Sequence, residues 1–192
     1  TAGKSEVAAH DSSTHGYISG GNTGSILDVI DKFSKSSDGN AAAITGTLSA
    51  GKSYGSGNTS STYGYFSGGR TPTKVDVIEK FAFSTDGDAT NVGDLTAAKD
   101  TAGSTSSSTY GYLQGGSDGS RLDVIEKFSF SSDGNATDVG DLTATRHYPS
   151  GSSSTTYGYA SGGEAGTYKN EIEKYSFSSD GNSADVGDLT VA

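Results

Sequence analysis

The chain has 192 residues, with 13 Lys and Arg against 23 Asp and Glu, and it contains no Cys, Met or Trp. The net charge of −10 argues against a nucleic-acid partner, because phosphate binding needs clustered Lys and Arg. Without Cys there are no disulfides, no thiol chemistry and no Cys-based zinc or iron–sulfur centre, and no run of 18 or more apolar residues is present to insert in a membrane. Residue 1 is Thr with no charged-then-apolar leader behind it, so the chain reads as a processed product or a fragment whose targeting is unreadable. Leu, Ile, Val and Phe number only 30 of 192 residues, a fraction at which a charged chain often stays disordered. The repeats below decide for a folded array instead.

Each repeat opens on a small-residue stretch: Ala2-Gly3, Ala50-Gly51, Ala102-Gly103 with the Ser/Thr run behind it, and Ser150-Gly151-Ser152-Ser153. These are expected to be the innermost strands, where crowding near an axis demands small side chains. Next comes an aromatic strand closed by two glycines. It runs through Gly16-Tyr17 to Gly20-Gly21, and recurs at Gly64-Tyr65, Gly111-Tyr112 and Gly158-Tyr159, ending at Gly68-Gly69, Gly115-Gly116 and Gly162-Gly163. From the double glycine to the acidic or amide residue of the next strand is seven residues in every repeat (21 to 28, 69 to 76, 116 to 123, 163 to 170). The contents of this loop change while its length does not.

The third strand carries Ile30-Asp31-Lys32-Phe33, Ile78-Glu79-Lys80-Phe81, Ile125-Glu126-Lys127-Phe128 and Ile172-Glu173-Lys174-Tyr175. Its β-branched and aromatic residues, with Val75, Val77, Phe81 and Phe83 on one face and Ile78 on the other, fit a strand inside a stacked sheet. An Asp-Gly at 38, 86, 133 and 180 then signals a hairpin. A short strand ending Gly46-Thr47-Leu48, Gly93-Asp94-Leu95, Gly140-Asp141-Leu142 or Gly187-Asp188-Leu189 closes the unit. The repeats are 1–48, 49–95, 96–142 and 143–189, with 190–192 beginning a further one. The extra residue of the first repeat lies between Gly39 and Leu48. Four short strands in about 47 residues have the size of a propeller blade. The expected fold is therefore all-β, a β-propeller of four four-stranded antiparallel blades of about 47 residues each, with residues 1–192 as a single domain. A larger or shared ring, and another stacked β array, are the competing geometries.

The repeat resembles the kelch type of propeller repeat. In unit three the resemblance rests on Tyr110-Gly111-Tyr112-Leu113-Gln114-Gly115-Gly116, on Ile125-Glu126-Lys127-Phe128, and on Leu142 with Arg146 behind it; Lys99 takes the basic position in unit two. The family's Trp is replaced by Val92, Val139 and Val186. The Tyr-Gly-Tyr and Ile-Glu-Lys-Phe pattern is also similar to repeats in virion and surface proteins of marine phages and bacteria. That resemblance implies an extracellular, cell-surface or virion location.

Candidate chemistry is sparse. The histidines are His10 and His147, placed in the Ser/Thr-rich connecting region, and His15, where other units have Tyr63, Tyr110 and Tyr157. No serine among so many is singled out by a base and an orienting acid, so no catalytic residue is assigned and no enzyme is expected. Asp133-Gly134-Asn135 with Asp138 and Asp141 offers oxygens that calcium could use, but hairpin chemistry accounts for the pattern, so no cofactor and no metal ligand are assigned. Variable loop residues supply the binding-surface candidates Asn22, Arg70, Lys74, Asp118, Arg121, Glu164 and Tyr168. Tyr65, Tyr112 and Tyr159 would be the sugar-stacking residues of a lectin. Asn58 and Asn135 head N-glycosylation sequons, and the Ser/Thr runs are candidates for O-glycans. The expected function is a non-enzymatic structural and recognition module of an extracellular fibre, surface filament or virion appendage, whose partners are copies of itself, neighbouring fibre subunits or cell-surface glycans. The alternative is a soluble glycan-binding lectin with repeated inter-blade sites.

Overall fold

The computed structural model describes residues 3–191. It contains sixteen strands, and every one of its four sheets is a four-stranded antiparallel meander. Blade 1 comprises β1 (Ala8–Asp11), β2 (His15–Ser19), β3 (Val29–Ser34) and β4 (Ala42–Thr47). Blade 2 comprises β5 (Ser56–Thr59), β6 (Tyr63–Ser67), β7 (Val77–Ala82) and β8 (Thr90–Asp94). Blade 3 has β9 (Gly103–Ser106), β10 (Tyr110–Gln114), β11 (Val124–Ser129) and β12 (Thr137–Asp141), and blade 4 has β13 (Ser150–Ser153), β14 (Tyr157–Ser161), β15 (Glu171–Ser176) and β16 (Ala184–Asp188). The fold is an all-β propeller of four four-stranded blades. No helix of the structure is long and apolar enough to cross a membrane.

The first strand of each blade is innermost, and β1, β5, β9 and β13 pack side by side in that order. β9 and β13 fall at Ala102-Gly103 with its Ser/Thr run and at Ser150-Gly151-Ser152-Ser153, as the sequence indicates, whereas β1 and β5 lie later in the chain than Gly3 and Ala50-Gly51; Ala2, of the same assignment, falls outside the described residues. Ala50-Gly51 instead belongs to the connector between blades, where a Cβ on Gly51 would meet the Ile26 carbonyl oxygen at 2.8 Å. The residues just before these strands line a central cleft of about 250 Å³, walled by Glu6, Tyr54, Thr101 and Tyr148 among others. A backbone ladder links them from blade to blade: the Tyr54 amide donates to the Glu6 carbonyl, Thr101 to Tyr54, and Tyr148 to Thr101.

The double glycine is required on two counts. Gly68 and Gly69 both take left-handed φ, +66° and +90°, which side chains disfavour. A Cβ on either would also sit 2.6 Å from a carbonyl oxygen, that of Lys99 or of Ser53. The tight turn lets the Gly69 amide donate to Lys99, as Gly21 does to Lys52 and Gly116 to Arg146, so each variable loop is tied to the entry of the next blade.

The β-bulge between the third and fourth strands explains the unequal repeat lengths. In blade 2, Ile78 on β7 stands opposite two residues of β8, Val92 and Gly93, between the pairs Val77–Asp94 and Glu79–Asn91. In blade 1, between Val29–Thr47 and Asp31–Ala43, Ile30 stands opposite three, Ile44, Thr45 and Gly46. The additional residue of the first repeat is thus absorbed by a wider bulge, where the chain leaves the ladder and length is tolerated. Val92 and Val139 pack against the cores from these bulges, as Ile44 does in blade 1.

Strand alternation gives each blade two different apolar faces. On β7, Phe81 and Glu79 face blade 1, and Ile78 and Lys80 face blade 3. Three cores result, joining blade 1 to 2, 2 to 3 and 3 to 4. At their centres Tyr17 stacks on Phe83, Tyr65 on Phe130 and Tyr112 on Phe177, with ring centroids 4.7, 4.9 and 4.8 Å apart. Each junction also presses a glycine of one blade onto the Asp-Gly turn of the next: a Cβ on Gly46, Gly93 or Gly140 would lie 2.0, 2.1 or 2.3 Å from the carbonyl oxygen of Gly87, Gly134 or Gly181. Gly93→Ala is therefore expected to destabilise the protein by about 1–3 kcal/mol through overpacking. Gly39→Ala, where an added Cβ meets nothing within 4 Å, should leave the urea midpoint nearly unchanged.

Candidate functional site

The junctions hold the molecule's concentrated polar chemistry. Every blade pairs a basic residue from its entry with the acidic residue of its third strand: Lys4–Asp31, Lys52–Glu79, Lys99–Glu126 and Arg146–Glu173. In blades 2–4 both partners are at most 2% exposed, whereas in blade 1 they are 18% and 26% exposed. The difference arises because the preceding blade covers the pair. Its chain also caps the carboxylate: the Ser49 amide donates to Glu79, and Thr96 and Thr143 donate through both amide and hydroxyl to Glu126 and Glu173. The basic position was legible as part of the kelch resemblance, but its pairing with the strand Glu was not. The Lys of the same strand reaches forward: Lys32, Lys80 and Lys127 pair with Asp86, Asp133 and Asp180 of the next blade.

Four of the binding-surface candidates are engaged in similar bridges. Arg70 and Lys74 both pair with Asp100, a fully buried carboxylate at the entry to blade 3, and Lys74 also donates to the Ser117 carbonyl at 2.7 Å. Arg121 makes a two-pronged contact with Glu164, which also meets His147. His147 and Arg121 hold the Glu164 carboxyl below the usual carboxylate range. Asp100 was missed, although it carried a signal: the equivalent positions are Ser5, Ser53 and His147, and the change from Ser to Asp coincides with the arrival of two cations in the preceding loop. Asn22 donates to Glu6 and accepts from the Gly24 amide, and Asp118 accepts from the Ser120 amide. Tyr168, 77% exposed, is the one large hydrophobic side chain presented outward by these loops among the described residues.

The sugar-stacking assignment is corrected at two of its three positions. Tyr65 and Tyr112 are 1% exposed and stacked beneath Phe130 and Phe177 of the next blade, so neither ring offers a face to a ligand. Tyr159 is only partly buried. Asn58 is likewise unsuited to carry a glycan in the folded chain: it is buried, and its Nδ2 donates to the carbonyls of Thr105 and Tyr112. Asn135 is exposed, with its Oδ1 accepting from the Asp94 amide. Among the Ser/Thr runs, the one at 152–156 is exposed throughout.

The oxygens considered for calcium diverge. Asp133 turns to Lys80, Asn135 to the Asp94 amide, and Asp138 to the Gly140 amide of its own bulge. Among the described residues no group of three His, Cys, Asp or Glu is close enough to hold a metal ion.

His10 is on β1 rather than in a connector, and it is buried. It shares a repeat position with Asn58, Thr105 and Ser152, and its ring nitrogens contact Ser19 Oγ at 2.7 Å and the Asn58 carbonyl at 3.2 Å. Burial lowers its pKa to about 4, against which the Asn58 carbonyl pulls upward. A depressed histidine pKa means that the unfolded chain takes up the proton first as pH falls. Its stabilisation is complete above pH 6.5 and is lost progressively down to about 4, a span worth about 3 kcal/mol. His10→Asn, which copies blade 2, should flatten that part of the stability–pH curve measured by urea unfolding.

Neither protein-family models nor curated proteins give a match to this chain.

Proposed function

We propose that this chain is a kelch-like propeller module with a non-enzymatic, structural and recognition role in an extracellular fibre, surface filament or virion appendage. One observation carries the reading: charged, aromatic and glycine positions that recur from blade to blade are consumed in the blade-to-blade junctions, while the outward-facing variation is confined to loops of fixed length. Such a design favours shape and rigidity over a reactive centre. Loop ion pairs such as Lys74–Asp100 and Arg121–Glu164 lock neighbouring blades together, which suits a load-bearing part. The absence of Cys, Met and Trp removes the readily oxidised side chains from an exposed protein. Tyr168 and the loop tips around Asn22 and Asp118 are the surface left for recognising a partner. The lectin reading is weakened by the burial of Tyr65 and Tyr112.

Electron microscopy of the native protein, together with glycan-array binding, tests this. The reading expects ordered end-to-end assemblies and no binding at several equivalent sites. Saturable sugar binding at multiple equivalent sites, without assemblies, would replace it with the lectin.

A further inference from the structure

The three junctions inside the chain have an unfilled counterpart at each end. On the far side of blade 4, Val186 and Leu189 are 50% and 41% exposed, although their equivalents Val139 and Leu142 pack in the blade 3–4 core. Lys174 has no acidic partner among the described residues, whereas Lys32, Lys80 and Lys127 each reach into the next blade. Gly187 occupies the place of the three glycines that touch a following turn, and a Cβ there would meet nothing within 4 Å.

The near side of blade 1 shows the complementary set. Phe33 is 39% exposed, where Phe81 and Phe128 are 1% and 3% exposed. Asp38, the equivalent of Asp86, Asp133 and Asp180, lies exposed in its Asp-Gly turn and has no cationic partner among the described residues. Among the described residues the Lys4–Asp31 pair has neither the cover nor the amide cap that completes the others, and Thr190 stands where Ser49, Thr96 and Thr143 supply that cap.

We propose that the exposed face of blade 4 binds the exposed face of blade 1 of a second copy of this chain, head to tail, through a fourth instance of the junction that joins blades within one chain. Lys174 then pairs with the second copy's Asp38, Leu189 and Val186 pack near its Phe33, and Thr190 caps its Asp31. The two surfaces are complementary in charge and shape because each continues an interface already formed three times. The contact is heterologous, so it generates a closed ring or an open filament according to the rotation at each step. The inference rests on the structural-assembly reading above and specifies its geometry.

Lys174→Asp and Asp38→Lys each place like charges across the contact while leaving the internal junctions untouched. Sedimentation velocity of the 192-residue chain over a concentration series reads the effect. The wild type is expected to associate, each variant alone to associate about tenfold more weakly or worse, and an equimolar mixture of the two to recover, because both of its cross-contacts pair opposite charges. Val186→Lys, a change at an exposed position, should block association without lowering the urea midpoint. A wild-type chain that stays monomeric throughout overturns the proposal. Assemblies that form but are indifferent to all three substitutions overturn this junction while leaving the assembly reading in place.

Discussion

Glu79→Ala is expected to cost about 3–5 kcal/mol, because it strands a buried cation. Lys52 is 2% exposed and its Nζ sits 2.9 Å from Glu79 Oε2, with the Ser49 hydroxyl at 3.1 Å as its one other hydrogen-bonding partner among the described residues. Removing the carboxylate also leaves the Ser49 amide without its acceptor. Asp31→Ala makes the same change at the same repeat position in blade 1, where Lys4 remains within reach of water. There the expected cost is about 1 kcal/mol or less. Chemical denaturation of the two variants against the wild type, compared at equal slope, gives both numbers. Equal costs would mean that blade 1 is covered in the same way as blade 2.

Phe81→Ala is expected to be of similar size, about 3–5 kcal/mol, because a cavity is left in a core that has little means to collapse. The Gly64 backbone lies close against this ring: a Cβ there would be only 2.5 Å from it. His10 meets its edge at 5.0 Å, and Tyr17 is tilted against it at 5.7 Å. Phe33→Ala removes the same ring from the uncovered face of blade 1, where the loss is mainly that of partial burial, about 1 kcal/mol. Differential scanning calorimetry or urea unfolding separates the two. A quasi-one-dimensional array adds a further signature: losing an internal junction lowers cooperativity, and losing an end contact does not.

The blade was legible in the sequence because its landmarks are backbone requirements. A double glycine at left-handed φ, an Asp-Gly hairpin and an Ile-Glu-Lys-Phe strand state local geometry directly, and the structure places β6 at Tyr63–Ser67, the span the aromatic pattern indicates. Two of the four inner strands, β1 and β5, were displaced because small residues are equally required in the connectors, where Gly51 passes close to Ile26. Composition cannot tell one kind of crowding from the other. The site was read less well. Tyr65 and Tyr112 look like exposed aromatic platforms when a strand is read alone, and only the stacking of one blade on the next shows both faces covered. The loop cations were rightly seen as variable, but their partners lie about thirty to forty residues away in the next blade, as with Arg70 and Asp100 or Arg121 and Glu164. Such pairs become visible only when repeats are compared position by position for compensating changes.

One leucine occupies the same place in every repeat, and its methyl groups report directly on whether the fourth junction is unfilled. In the weakly associating Lys174→Asp chain, at a concentration where it is monomeric, a soluble paramagnetic agent should leave the methyl resonances of Leu48, Leu95 and Leu142 sharp and broaden those of Leu189, following exposures of 2%, 5%, 4% and 41%. Four equally protected leucines would contradict the account, since blade 4 would then already be packed against another blade.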